Sequence, residues 1–113
     1  MCTQSELNQI LDKMLQVYNK VYGAAINAVY LYGSCARGEA TPESDIDIVA
    51  IVKGARPELQ EHLKQVWDVS ADIGLDYEVV ISPTVIPYEE FEDYKMILPY
   101  YRNILQEGVR ISG

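Results

Sequence analysis

Asp45 and Asp47 stand two residues apart in the run Ser44-Asp45-Ile46-Asp47-Ile48. On an extended strand, residues i and i+2 point to the same face, so this spacing aligns two carboxylates. Like charges held side by side repel unless a cation lies between them. Hard oxygen donors of this kind suit Mg²⁺ or Mn²⁺. The competing reading of an isolated D-x-D is a solvated strand end capped by acids. Ten residues separate Asp45 from the pair Gly33-Ser34. A Gly-Ser turn between a strand and a helical turn exposes backbone N–H groups and a hydroxyl. Those donors, with the helix dipole, can hold an anionic group, although such a pair also serves as a plain turn. Ser44 reads either as a contact to the same anion or as a local cap. A third acid comes from Asp76-Tyr77-Glu78-Val79-Val80. Alternation over a strand at Tyr77 to Ser82 places Asp76, Glu78 and Val80 on one face, near Asp45. Three carboxylates around one point could hold two divalent cations about 3.5–4 Å apart. Such a pair would bind a nucleoside triphosphate and acidify an attacking hydroxyl. The plainer reading of Glu78 is an edge-strand acid.

The elements that must position these residues follow from periodicity. Thr3 to about Tyr22 predicts an amphipathic helix, with Leu7, Ile10, Leu11, Met14, Leu15, Tyr18 and Val21 at spacings of three and four. Thr3 to Glu6 has the form of a capping box, and Gly23 sits at the C′ position. Asn27 to Tyr32 reads as a buried strand, followed by a short helical turn from Cys35 to about Gly38. Asp45 to Val52 is a second strand. Pro57 opens a helix ending near Ile73, before Gly74, with Leu59, Leu63, Val66, Trp67 and Ile73 as its apolar stripe. The third strand, Tyr77 to Ser82, stops at Pro83. Helices at Tyr88 to Tyr94 and Leu98 to Gln106 complete the chain. In these two helices Phe91, Tyr94, Leu98, Tyr101 and Leu105 follow helical spacing. That pattern reads first as packing, and its tyrosines also mark the face as a candidate for partner docking. A helix of about 17 residues between strands two and three suits a parallel crossover. The shorter link between strands one and two makes them antiparallel neighbours. The order predicts an α/β domain over residues 1–113, with a small mixed sheet of three or more strands flanked by helices.

Composition narrows the chemistry. The chain has 113 residues with 49% hydrophobic and 23% charged residues, the profile of an ordinary globular domain. Seventeen acids against nine Lys and Arg give a formal charge of −8 and a pI near 4.5. Phosphate backbones and anionic membrane surfaces repel such a chain, so stand-alone nucleic-acid or membrane binding is not expected. Two cysteines and a single histidine, His62, leave no material for a disulfide framework, a histidine-based metal site or a Ser-His-Asp triad. His62 reads as a solvated residue on a polar helix face, and Cys35 as a small packing residue. No signal pattern or long apolar run is present, so a cytoplasmic location is expected.

Gly33-Ser34, ten intervening residues and Asp45-x-Asp47 resemble the signature of the DNA polymerase β-like nucleotidyltransferases. Arg37-Gly38-Glu39-Ala40 and Ser44-Asp45-Ile46-Asp47-Ile48 look like its small stand-alone branch, the minimal nucleotidyltransferases. The resemblance implies that Ser34 contacts the triphosphate of ATP, that Gly33 allows close backbone approach, and that Asp45 and Asp47 hold catalytic Mg²⁺. It implies a third carboxylate on the following strand, where this chain has Glu78 in place of the family's usual Asp, with Asp76 as a fallback. Arg37 would steady a phosphate or pair with Glu39 or Glu43. The chain stops soon after the motif-bearing core, which implies that the acceptor comes from another chain. Minimal nucleotidyltransferases are often paired with a helical HEPN-type protein in toxin–antitoxin systems. The resemblance therefore implies Mg²⁺-dependent transfer of AMP to a hydroxyl of a protein or small molecule, with such a partner. The rival reading is a catalytically weak module of the same fold that neutralises a helical partner by docking. A nucleotide or Mg²⁺ sensor is a third.

Overall fold

The capping box at the N-terminus forms as the sequence predicts. Glu6 N–H donates to Thr3 Oγ1 at 3.1 Å, and Thr3 N–H donates to Glu6 Oε1 at 3.0 Å. Together they start helix α1, Gln4–Tyr22, which buries Ile10, Met14 and Tyr18. The computed structural model describes residues 3–33, 36 and 45–112. Gly23 ends α1 at φ 57°, and a short 3₁₀ turn, Gly23–Ala25, leads into β1, Ile26–Tyr32. Strand β2, Ile46–Val52, is followed by helix α2, Arg56–Tyr77, then β3, Ile81–Pro87. Helices α3, Tyr88–Tyr94, and α4, Pro99–Glu107, precede β4, Val109–Ser112.

The sheet order is β3-β2-β1-β4. β1 runs antiparallel to β2 and to β4, whereas β2 and β3 are parallel, which matches both pairings predicted from the link lengths. β4 was not predicted: four residues of mixed polarity, all at least partly exposed, carry no clear periodic signal.

Alternation along the strands separates two cores. On one face Val29, Leu31, Ile46, Ile48, Ala50, Ile81 and Val85 pack with Ile10, Met14 and Tyr18 of α1 and Leu59, Leu63 and Val66 of α2. On the other, Ala28, Tyr30, Val49, Ile51 and Ile86 pack with Phe91, Tyr101 and Ile104 of α3 and α4. A sheet covered on both faces explains why β1 and β2 read as nearly continuous apolar runs. Tyr18 is fully buried beneath β2 and β3. Its hydroxyl donates to Thr84 O at 3.0 Å and lies 3.4 Å from Ile48 O. Burial holds the Tyr18 phenol well above its ordinary pKa, so it stays a donor.

Helix α2 and strand β3 depart from expectation together. Gly74 does not end the helix: it is buried inside it, and a Cβ there would lie 2.6 Å from Val79 O. The glycine therefore permits a close backbone crossing. The helix continues to Tyr77 and ends at Glu78, whose φ of 57° is left-handed. Glu78 N–H donates to Gly74 O and Leu75 O, and Val79 N–H also donates to Gly74 O at 2.9 Å. The strand consequently begins at Ile81 instead of Tyr77, and it passes through Pro83 to Pro87. Pro83 is tolerated because β3 is an edge strand. Ile46 N–H donates to Val80 O, and the alternation of a parallel ladder then turns Ser82 and Thr84 toward β2 and the Pro83 nitrogen outward. Of the predicted α2 stripe, Leu59, Leu63, Val66 and Ile73 are buried, whereas Trp67 is 46% exposed. Ser70 occupies the same stripe, its hydroxyl donating to Trp67 O at 2.8 Å. The predicted helical turn from Cys35 to Gly38 lies outside the described residues apart from Ala36.

Candidate active site

The site is built where β1 ends and β2 begins. Tyr32 stands opposite Asp47, and Asp47 stands opposite Ser82 of β3. Residues directly opposite share a face, so Tyr32, Asp47 and Ser82 lie in one row across three strands. Strand alternation adds Thr84, two residues beyond Ser82, to that face. Asp45 precedes β2 by one residue and is exposed, whereas Asp47 is partly buried.

Gly33 closes the row. It follows Tyr32 with φ 81°, a conformation that L side chains rarely adopt. A Cβ there would lie 2.7 Å from Asp47 Oδ2. Two independent constraints, the backbone and the neighbouring carboxylate, therefore demand glycine. Ala36 N–H donates back to Gly33 O at 3.1 Å. Burial pushes the Asp47 carboxyl above its ordinary pKa, and the Asp45 charge pushes it further the same way. The sequence-based expectation of two like charges in uneasy proximity thus has a physical counterpart. A cation or a cationic group would relieve it.

Glu78 is not where the strand reading put it. It is the exposed, left-handed cap of α2, and Asp76 is helical, so these two do not share a strand face with Val80. β3 itself, Ile-Ser-Pro-Thr-Val-Ile-Pro, carries no acid, and the position facing Asp47 is Ser82. Among the described residues, no three His, Cys, Asp or Glu side chains come together as a metal-holding group. The donor set present, Asp45 and Asp47, fits a cation of the Mg²⁺ type held by one or two carboxylates, with substrate phosphates completing its shell. It does not by itself reproduce the three-carboxylate cluster expected from the sequence. Ser34, Arg37 and Ser44 lie outside the described residues.

Two tyrosines that sequence reasoning left out border the site. In the sequence Tyr32 is only the end of a strand, and its one distinguishing mark is its position just before Gly33. Tyr100, from α4, packs edge-on against Tyr32, with ring centroids 5.8 Å apart and planes at 77°. Burial raises the Tyr100 pKa, the side chain of Thr84 opposes that, and the nearby Tyr32 and Asp47 reinforce it. Local sequence gave no signal for Tyr100, because its proximity arises only when α4 crosses the sheet.

Behind the site, Arg56 at the start of α2 pairs with Glu90 of α3, and the Tyr101 hydroxyl of α4 donates to the same carboxylate. Tyr101 and Arg56 hold the Glu90 carboxyl below its usual range, and burial together with Glu90 pushes Tyr101 up to about 12. This cluster ties both C-terminal helices to the end of the sheet opposite the aspartates. His62 is exposed, as expected, and stacks near Tyr22 at 6.4 Å.

The nucleotidyltransferase domain family matches residues 7–111, which includes every described element from the first turns of α1 to β4. The chain belongs to that family. A nucleotidyltransferase relative from Methanocaldococcus jannaschii, provisionally named a protein adenylyltransferase, is 34% identical over 98 residues, covering 87% of this chain and 90% of its own length. A second from the same organism, named in the same provisional way, is 32% identical over 80 residues, covering 71% of this chain. The chain spans 54% of that second relative's length. A crystal structure of a toxin–antitoxin MntA-HpeT mutant superposes on all of this chain and 74% of its own, with a TM-score of 0.50 at 13% identity. That likeness is one of fold. The four-stranded mixed sheet with helices on both faces is the nucleotidyltransferase architecture expected from the motif. Among the described residues, no helix is long and apolar enough to cross a membrane.

Proposed function

We propose that this nucleotidyltransferase transfers AMP from ATP to a hydroxyl group of a protein or small-molecule acceptor. The observation that carries the proposal is the approach of Gly33 to Asp47 at the β1–β2 end, with Asp45 beside it. A glycine required twice over, by its φ and by the neighbouring carboxylate, holds the turn close against Asp47. It suits a turn that must bring backbone donors close to a phosphate chain. The provisional adenylyltransferase names of the relatives support AMP as the transferred group.

In this proposal Asp45 and Asp47 hold Mg²⁺ against the triphosphate, and Gly33 with Ser34 takes the phosphate oxygens. Arg37 and Ser44 belong to the same nucleotide-binding segment. Bound Mg²⁺ would supply charge neutralisation at the reacting phosphate. Nucleotidyl transfer is largely positioning and electrostatic stabilisation, so it needs no histidine or cysteine. The acceptor oxygen bonds to the α-phosphorus as the α–β bridging bond breaks, pyrophosphate carries away the electron pair, and the hydroxyl proton passes to a nearby base. Glu78, at the end of α2 and not on β3, remains the proposed third carboxylate of the motif reading.

The likeness in fold to a toxin–antitoxin protein supports a helical, HEPN-type partner as the acceptor or its carrier. Exposed Tyr94 at the end of α3, with Met96, Ile97 and Leu98 in the link to α4, offers apolar surface for docking. One observation favours the second reading, a binding module with weak catalysis: β3 offers Ser82 where a third acid would face Asp47.

The test is incubation with Mg²⁺, ATP and the product of the neighbouring gene, followed by intact mass measurement. An added AMP that depends on Asp47 supports transfer. Neutralisation of the partner by the Asp45→Asn/Asp47→Asn double variant, without any mass change, supports docking. No pyrophosphate release with any acceptor sinks the enzymatic reading.

A further inference from the structure

Tyr100 packs against two other tyrosine rings and is still 44% exposed. Its ring and that of Tyr32 meet edge to face, with centroids 5.8 Å apart and planes at 77°. Tyr101 lies 5.9 Å away with planes tilted by 51°. Tyr101 in turn is buried against Phe91 at 5.5 Å, so the support reaches into the core. A surface tyrosine usually keeps its rotamer freedom. Here two neighbouring rings restrict that freedom while a substantial part of the residue stays open to solvent. The ring stands beside Tyr32, the residue directly opposite Asp47.

A pre-ordered aromatic face next to an anion-binding turn has a specific use. Bases stack on aromatic rings by dispersion and surface burial, and a pre-fixed platform loses little entropy on binding. Phosphates gain nothing from such a face, since they are charged and strongly hydrated. We infer that Tyr100, buttressed by Tyr32, is the stacking platform for the nucleobase of the bound nucleoside triphosphate. The inference rests on the nucleotide-transfer reading above. It adds a base subsite formed by the C-terminal helix, remote in sequence from the Gly33–Asp47 motif. Because stacking is tolerant of base identity, the subsite reads the presence of a base more than its type.

The experiment compares two ligands that share a triphosphate: Mg·ATP and Mg·tripolyphosphate, titrated calorimetrically into the intact protein. The wild type binds ATP about tenfold more tightly than tripolyphosphate, the size expected of one stacked base. Tyr100→Leu, which keeps bulk without a flat ring, removes that advantage and leaves tripolyphosphate binding unchanged. Tyr100→Phe retains most of it. Ethenoadenosine triphosphate gives a direct signature, with fluorescence quenched on the wild type and Tyr100→Phe but not on Tyr100→Leu. Equal weakening of both ligands in Tyr100→Leu would assign Tyr100 a structural role and overturn the inference, as would unchanged ATP affinity. A wild type that binds tripolyphosphate and ATP equally removes the base subsite but leaves the phosphate site standing. A wild type that binds neither overturns the nucleotide reading itself.

Discussion

Replacing Gly33 by alanine tests the proposed site at its tightest point. The substitution has two separable effects. An L residue at φ 81° is strained by roughly 1–2 kcal/mol. In addition, the new methyl would start 2.7 Å from Asp47 Oδ2, more than about half an ångström inside ordinary contact. Either the turn or the carboxylate must move. For a chain of 113 residues, the unfolding entropy is about 0.24 kcal/mol/K, so the backbone strain alone lowers Tm by about 4–8 °C. Displacing a charged ligand group by that distance is expected to weaken Mg·ATP binding about tenfold and to slow transfer further, since misplacement by about 1 Å costs up to about a hundredfold. Gly23→Ala is the matched control. Its φ is 57°, but nothing lies within 4 Å of the added Cβ, so it should lose stability comparably and leave nucleotide binding intact. Thermal melts and calorimetric titrations on both variants separate the two effects. Wild-type Mg·ATP affinity in Gly33→Ala, or an equal loss of affinity in Gly23→Ala, would refute the reasoning that Gly33 is glycine for the sake of Asp47.

Asp47→Asn should stabilise the ligand-free protein while abolishing Mn²⁺-dependent stabilisation. The folded pKa of Asp47 lies above 3.8, so the folded state holds its proton more tightly, and stability falls as pH rises from about 3.8 through the raised value. That deficit persists at neutral pH, and removing one of two carboxylates about 7 Å apart recovers roughly 0.5–1 kcal/mol. Melting curves from pH 3 to 8 with and without Mn²⁺ would show it, and a lower neutral-pH Tm for the variant would contradict it. Tyr18→Phe should cost about 1–2 kcal/mol, because Thr84 O loses its buried donor; an unchanged denaturation midpoint would mean that the bond is not stabilising. For Glu90 the sign is opposite to Asp47. Its folded pKa is depressed by Tyr101 and Arg56, so its contribution is present above about 4.5 and is lost as pH falls through the depressed value. Because Arg56 and Glu90 are 44% and 33% exposed, Glu90→Gln should cost at most about 1 kcal/mol at pH 7 and flatten the acid side of the stability profile. An unaltered pH profile would show that the cluster contributes nothing.

The site was legible where chemistry and local geometry coincide. Asp45 and Asp47 align because a strand has a period of two, and that period is local. Gly33 was singled out as a turn glycine, and its φ agrees; its contact with Asp47 was not visible, because it depends on the antiparallel register of β1 and β2. Glu78 was misplaced for an identifiable reason. Gly74 carries the local mark of a helix end, yet the helix continues because Val79 folds back across it. That contact moves the start of β3 by four residues and takes Glu78 out of the strand. Pro83 misled in the same way, since a proline stops a central strand but not the outward side of an edge strand. Periodicity places both Val66 and Trp67 on the apolar stripe, but α1 and the sheet bury only Val66.

The amino-acid sequence by itself determined α1 and its cap, the two long central strands and their antiparallel pairing, the parallel crossover through α2, and the pairing of a glycine turn with an aspartate couple. All of these depend on interactions within a few residues or on the reach of a link. Only the tertiary structure decided which residues meet across the sheet: Gly33 with Asp47, Ser82 in place of an acid on β3, β4 against β1, and Tyr100 beside Tyr32. Those contacts are set by register and by helices crossing from distant parts of the chain, and no local pattern encodes them.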